Sequence, residues 1–416
     1  MGNYLGYRCS LCGSEYQPDE VRYNCPKDQG NLDIILDTSS IRKSLGPVGL
    51  KFEGEPSIWR YLPLLPVMDP GGADTPLRLA GWTPVLSPRR LADEIGIEKL
   101  WIKDESRNPT ASFKDRASAV VVARARQIGA EVVVTASTGN AGAALAGMAA
   151  AIGQKAVIFA PRSAPPAKIA QLLVYGAQVL LVDGSYDDAF DLTILAADEF
   201  GWYCRNTGYN PFTAEGKKTA AFEVWDWFRQ SNFRFPISEL KLFVSVGDGN
   251  IISGIHKGFK DLADLGWIDD PPQLYGIQSE GSAAIANAFF GGTETITPVK
   301  AQTIADSISV DLPRDGVRAV RAAVQTGGRY LLVSDEQILA AIAALGKSGI
   351  FAEPAGAAAY AGLIKAIREG MVAQSDPLLV INTGSGLKDV RAAMQAVKEA
   401  PVIAPNLDSV RKVIKS

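Results

Sequence analysis

Lys114 stands in the stretch NPTASFKDRAS, residues 108–118, after Phe113 and ahead of Asp115 and Arg116. A lysine amine forms Schiff bases and moves protons once burial or neighbouring positive charge lowers its pKa. Alone, a lysine heading a small-residue helix reads as one more solvated charge. Its setting alters that reading. VGDGN (246–250) follows an apolar run and precedes a helical one, so Gly247 and Gly249 allow the tight backbone in which loop N–H groups and a helix start face an anion. No Gly-Lys-Ser/Thr follows, so it is not a P-loop, and the spacing of a dinucleotide site is absent. TASTGNAG (135–142) offers Ser137, Thr138 and Asn140 at another helix start, which serves equally as an N-cap or as a carboxylate site. TGSGLKD (383–389) sits at a further strand end. A lysine, a phosphate loop, a carboxylate loop and a polar strand end together are the parts of a pyridoxal phosphate site.

Positioning these parts requires a sheet whose strand ends converge. From about residue 80 the chain alternates strand and helix patterns. Strands are expected in KLWIKDE, EVVVTAS, KAVIFAP, QVLLVDG, WYCRN, LKLFVSV, QLYGIQSE and PLLVINTG, with helices between them. Runs apolar on both faces imply parallel strands covered by helices. The expected class is α/β, a parallel sheet covered by helices. Residues 1–40 are set apart as a cysteine knuckle. Residues 41–100 and 210–416 form a larger cofactor domain, and 101–209 a smaller one carrying Lys114 and the carboxylate loop. GPVGLKFEGEPSIWRYLPLLPV reads as an irregular connector ending in an apolar anchor, and 291–330 is the least legible region.

The chain has 416 residues, 42 Lys+Arg against 45 Asp+Glu, and a net charge of −3. That balance argues against a nucleic-acid binder, which would carry a basic excess. No basic-then-apolar leader and no apolar run near 20 residues is seen, so no membrane partner and a cytoplasmic location are expected. Four cysteines do not make a disulfide framework. Cys9, Cys12 and Cys25 are spaced as in a zinc ribbon, but Asp28 stands where a fourth cysteine belongs, so a decayed, metal-free knuckle is expected. Cys204 reads as core. His256, the single histidine, follows the phosphate loop by about a turn and a half and is not expected to be catalytic.

Six stretches, NPTASFKDRAS, ASTGNAGAALA, NPFTAEGKKTAAFE, VSVGDGNIISGIHKGF, IFAEPAGAAAYAGL and NTGSGLKD, resemble the threonine synthase family, in matching order over about residues 80–400. These are fold-type II, tryptophan synthase β-like pyridoxal phosphate enzymes, and the resemblance implies two open, twisted, mostly parallel sheets covered by helices. The resemblance implies pyridoxal 5′-phosphate on Lys114, beside Phe113. It places Asn140 at the ring 3-hydroxyl, Gly247, Asp248, Gly249, Asn250 and Ile251 around the phosphate, and Thr383 at the ring nitrogen. It gives Ser137, Thr138 and Asn140 to the substrate carboxylate, and it implies a homodimer. The implied reaction is O-phosphohomoserine plus water to threonine plus phosphate. Three positions depart from the family pattern: Ala141 for Thr, Thr213 for an Arg that grips the substrate phosphate, and Ser385 for His. Lys217, Lys218 or Arg205 would have to replace that charge. Otherwise the amino-acid substrate differs, as in β-replacement on phosphoserine of the cysteate synthase type or serine/threonine ammonia-lyase chemistry.

Overall fold

The computed structural model describes residues 4–46, 50, 54–137, 139–164 and 166–414. In chain order the strands are β1 (Tyr4–Cys9), β2 (Glu15–Tyr16), β3 (Leu32–Leu36), β4 (Val85–Leu86), β5 (Lys99–Asp104), β6 (Val132–Ala136), β7 (Lys155–Pro161), β8 (Gln178–Val182), β9 (Tyr203–Cys204), β10 (Lys241–Ser245), β11 (Gln273–Ser279), β12 (Arg329–Val333) and β13 (Pro377–Asn382). They form three sheets, ordered β2-β1-β3, β12-β11-β10-β13-β5-β4 and β8-β7-β6-β9.

The two larger sheets are parallel except for β4, which pairs antiparallel with β5 at the edge. Every residue of β13 is buried, as an apolar run with helices on both faces requires. All the strands expected from the alternating pattern are present, so the α/β class stands. The expected division at residue 101 cuts β5, which hydrogen-bonds to β13 in the large sheet. The second sheet begins only at β6. Between the sheets the helix Lys114–Gln127 packs against the helices Asn140–Ala150 and Phe212–Gln230, so its first turn lies where the strand ends of both sheets meet.

The amino-terminal sheet is antiparallel and rests on the large body. Cys204 N–H donates to Tyr23 Oη (2.9 Å), and Arg318 Nη1 donates to Asp33 Oδ1 (2.6 Å). The connector ends in a 3₁₀ segment, Ile58–Leu64, that buries Ile58, Trp59, Tyr61 and Leu64, the apolar anchor expected there. No helix among the described residues is long and apolar enough to cross a membrane.

Candidate active site

The triplet Lys114-Asp115-Arg116 is not a solvated run: Asp115 and Arg116 are fully buried and act as struts. Asp115 Oδ2 accepts from Thr110 N–H (2.6 Å), and its Oδ1 accepts from the Thr110 hydroxyl. This clamps a turn in which Ala111 has φ 63°, a left-handed conformation that disfavours a side chain. Arg116 spreads its guanidinium between two carboxylates. Nε donates to Glu105 Oε2 (2.7 Å), Nη2 to Glu105 Oε1 (2.8 Å) and Glu223 Oε2 (2.7 Å), and Lys103 Nζ also donates to Glu223 Oε2 (2.7 Å). Bidentate pairing of this kind fixes orientation as well as charge. The turn is tied to the end of β13, because Phe113 N–H donates to Thr383 O (2.9 Å) and Ser385 N–H to Ala111 O (3.1 Å). The Phe113 ring is fully buried, so Phe113 enters the site through its backbone.

Lys114 thus faces a cavity that it lines together with Lys217, residues 245–251, Ser307, Glu353 and Thr383. Burial pulls the Lys114 ammonium below its usual pKa and Arg205 pushes the same way, against Glu353 and Asp248. Gly249 has φ +91°, and a Cβ there would lie 2.6 Å from Asp315 O; a Cβ on Gly247 would lie 2.8 Å from Ile308 Cα. The loop is therefore a bare backbone cradle at the start of the helix Asn250–Asp264. Asn250 braces it: Nδ2 donates to Asp315 Oδ2 (2.6 Å), and Oδ1 accepts from Lys217 Nζ (2.6 Å) and Thr213 Oγ1 (3.2 Å). Lys217, depressed far below its usual pKa by burial and then by Lys114 and Arg205, stands with the phosphate loop. Lys218, on the same helix, is instead ion-paired with Asp261 (2.7 Å) and Glu215 (2.5 Å), so it cannot supply charge to a substrate.

An adjoining cleft of about 510 Å³ runs outward from Lys114 past Ser137, Gly139, Asn140 and Ala141. Gly139 N–H donates to Ser137 Oγ (3.2 Å); Thr138 lies outside the described residues. Asn140 Nδ2 donates to Glu353 Oε1 (2.8 Å) and Oε2 (3.0 Å). Glu353 is a site residue that the sequence reading quoted but did not single out. It caps the helix Pro354–Arg368, and burial raises its carboxyl pKa against Asn140 and Lys114. Its one signal was an acid ahead of proline inside an otherwise small, apolar stretch. Further out, Lys168, Gln171, Asp306 and Lys388 line a recess with Asn140 and Glu353. Thr213 is buried, its hydroxyl also donating to Asn210 O (2.7 Å), so it points at the phosphate loop's brace and not into this outer recess. His256 lies away from Lys114, in a groove beside β3 with Asp33, Lys260 and Arg318. Cys204 is fully buried in the core, as expected.

The model of the pyridoxal-phosphate dependent enzyme family matches residues 77–384. Threonine synthase of Methanocaldococcus jannaschii is 39% identical over 98% of this chain and 99% of its own length. That of Methanosarcina acetivorans is 39% identical over 98% of each, and that of Halalkalibacterium halodurans is 35% identical over 84% and 96%. This chain belongs to the threonine synthase family of pyridoxal-phosphate dependent enzymes. Among solved structures, threonine deaminase isoform 2 from Solanum lycopersicum superposes with a TM-score of 0.64 at 20% identity, covering 84% of this chain and 96% of that one. Diaminopropionate ammonia lyase from Escherichia coli gives 0.64 at 21% identity over 76% and 87%. Both share the fold of this threonine synthase family member. The residues fit the family's cofactor, pyridoxal 5′-phosphate. The glycine cradle excludes side chains, and Arg205 Nη2 is a buried donor without an acceptor, an arrangement that an anion close by would relieve.

Proposed function

We propose that this enzyme converts O-phosphohomoserine and water into threonine and phosphate, with Lys114 as the cofactor lysine. The observation that carries the reading is near-full-length likeness to threonine synthases, joined to a cavity holding both Lys114 and the glycine cradle. Residues 247–251 and Lys217 would hold the cofactor phosphate, and Asn140 and Thr383 would hold its ring. Bound there, pyridoxal phosphate supplies an electron sink that lowers the barrier to removing protons from the substrate. A hydroxyl at Thr383, rather than an acid, would leave the ring nitrogen unprotonated and would favour elimination over transamination.

Lys114 Nζ, whose charged form burial disfavours, takes the proton from Cα and then from Cβ, and a proton is returned to Cα at the end. Over the reaction the Cγ–O bond breaks and phosphate leaves. One proton leaves Cβ and one is added at Cγ, while the oxygen of water joins Cβ and releases its proton. Ser137, Thr138 and the start of the helix Asn140–Ala150 hold the substrate carboxylate. The substrate phosphate needs charged partners of its own, each worth about 1.5–3 kcal/mol. Lys168 and Lys388, in the outer recess, are placed for that task, whereas Lys217 faces the cofactor phosphate and Lys218 is paired elsewhere. The homodimer and the cytoplasmic location rest on the family resemblance.

The test is a substrate panel. Wild-type enzyme given O-phosphohomoserine should release threonine and phosphate in equal amounts. Ammonia from serine or threonine, or turnover of phosphoserine without threonine formation, would replace this reading.

A further inference from the structure

The amino-terminal segment carries a second cluster of chemically active side chains that the active site does not use. Cys9, Cys12, Cys25 and Asp28 bring one donor atom each to within 4.8 Å of one another. The four come from two turns of the same build. In Cys9-Ser10-Leu11-Cys12-Gly13, Gly13 N–H donates to Cys9 O (3.1 Å); in Cys25-Pro26-Lys27-Asp28-Gln29, Gln29 N–H donates to Cys25 O (2.9 Å). Both turns close on a left-handed residue, Gly13 with φ 72° and Gln29 with φ 58°. Asp28 therefore occupies in the second turn the place Cys12 has in the first.

Two of the six donor–donor distances lie close to the edges of a tetrahedral site. With Zn–S about 2.3 Å and Zn–O about 2.0 Å, a tetrahedron has S···S edges of about 3.8 Å and S···O edges of about 3.5 Å. Cys12 Sγ and Cys25 Sγ are 3.8 Å apart, and Cys9 Sγ and Asp28 Oδ1 are 3.3 Å apart. All the cysteines are free thiols. The surroundings orient the donors as metal ligands are oriented. Leu11 N–H donates to Cys9 Sγ (3.3 Å), Gly30 N–H donates to Asp28 Oδ1 (2.8 Å), and Tyr16 Oη lies 3.1 Å from Cys25 Sγ. A Cβ on Gly30 would come within 2.7 Å of Cys9 Sγ and 2.9 Å of Asp28 Oδ1, so the glycine keeps the cluster closed.

We propose that Cys9, Cys12, Cys25 and Asp28 bind one zinc ion as a structural site. The expectation of a decayed knuckle gives way to it, because the aspartate completes the donor set instead of breaking it. A three-stranded sheet this small has little core of its own, and a metal supplies the cross-link between its two turns. The sheet in turn backs the phosphate loop: Asp33 of β3 pairs with Arg318, Arg318 Nε donates to Asp315 Oδ1 (2.6 Å), and Asp315 accepts from Asn250.

Metal analysis of the full chain, purified under reducing conditions, should find about one zinc per chain. Cobalt exchanged into the chelated protein should show the thiolate charge-transfer and visible bands of a tetrahedral site. Cys12→Ser, at an exposed position, should keep the circular dichroism spectrum and weaken zinc at least roughly tenfold. Asp28→Cys should retain zinc and strengthen the cobalt charge-transfer band. The proposal is overturned by protein that is metal-free and takes up no cobalt, by iron in place of zinc, by a Cys12–Cys25 disulfide in the reduced preparation, or by unchanged zinc affinity in Cys12→Ser.

Discussion

The inner wall of the cleft, around Lys114 and the phosphate loop, and the outer wall, around Ser137, Lys168 and Lys388, face each other but are held by different means. The inner wall is fixed by buried, multiply bonded groups: Arg116 on two glutamates, Asp115 on Thr110, and Asn250 between Lys217 and Asp315. The outer wall is made of helix starts and long cations with single partners, such as Lys388 Nζ on Gln171 Oε1 (2.9 Å) and Lys168 on Asp306. A cofactor that stays bound can be met by a rigid cradle. A substrate that enters and leaves needs side chains that exchange one partner for another. Thr213 and Ser385 both take part in the inner wall's hydrogen bonds, Thr213 through its hydroxyl on Asn250 and Ser385 through its N–H on Ala111 O.

Changes to the inner wall should remove activity or the fold, and changes to the outer wall should alter only substrate affinity. The largest effect is expected for Lys114→Ala, with a loss of roughly 10⁴-fold in turnover, measured with saturating cofactor. Arg116→Met leaves the two buried carboxylates Glu105 and Glu223 with Lys103 as their one remaining cation among the ion pairs described. It should destabilise the fold by about 3–5 kcal/mol in chemical denaturation, whereas an outer-wall variant should not. Gly249→Val puts a branched side chain on a left-handed residue against Asp315 O. Cofactor affinity should fall by about tenfold or more, by equilibrium titration, before global stability does.

The sign of a pH effect separates a third region, the groove beside β3, from both walls. Burial and Lys260 lower His256 to about 4 from 6.5, with Asp33 opposing. The unfolded chain binds the proton first, so stability is lost as pH falls from about 6.5 towards 4, by at most about 3 kcal/mol. His256→Gln should flatten that slope in denaturation curves recorded across the window, with turnover at neutral pH unchanged. The smallest effect is expected on the outer wall. Lys388→Met should raise KM for O-phosphohomoserine by about tenfold with kcat and cofactor affinity nearly unchanged; a fall in cofactor affinity instead would move Lys388 to the inner wall.

Much of the inner wall was legible because its chemistry is local. Lysine turn, glycine loop and polar strand end each sit in a short stretch beside an apolar strand run. The unread parts depend on partners distant in sequence. The helix Phe212–Gln230 is buried from Phe212 to Asp226, including Glu215, Lys217, Lys218 and Glu223. Its charged positions hide the period that marks an ordinary surface helix. β12 comes just after the helix Gly316–Gln325, at the end of the stretch 291–330 whose pattern is least legible, and is absent from the strands expected from the sequence. Glu353 could be seen as unusual, but only the fold shows that it meets Asn140, 213 positions away. Thr213 read as a lost phosphate ligand because its sequence neighbours matched, and its hydroxyl proves to be committed to Asn210 and Asn250.

The most direct test of the central claim is to reduce the cofactor-loaded enzyme with borohydride and map the modified peptide. The account predicts a single pyridoxyl group on Lys114, with Lys217 unmodified although both line one cavity. Modification of Lys217 or any other lysine, with Lys114 free, would contradict it.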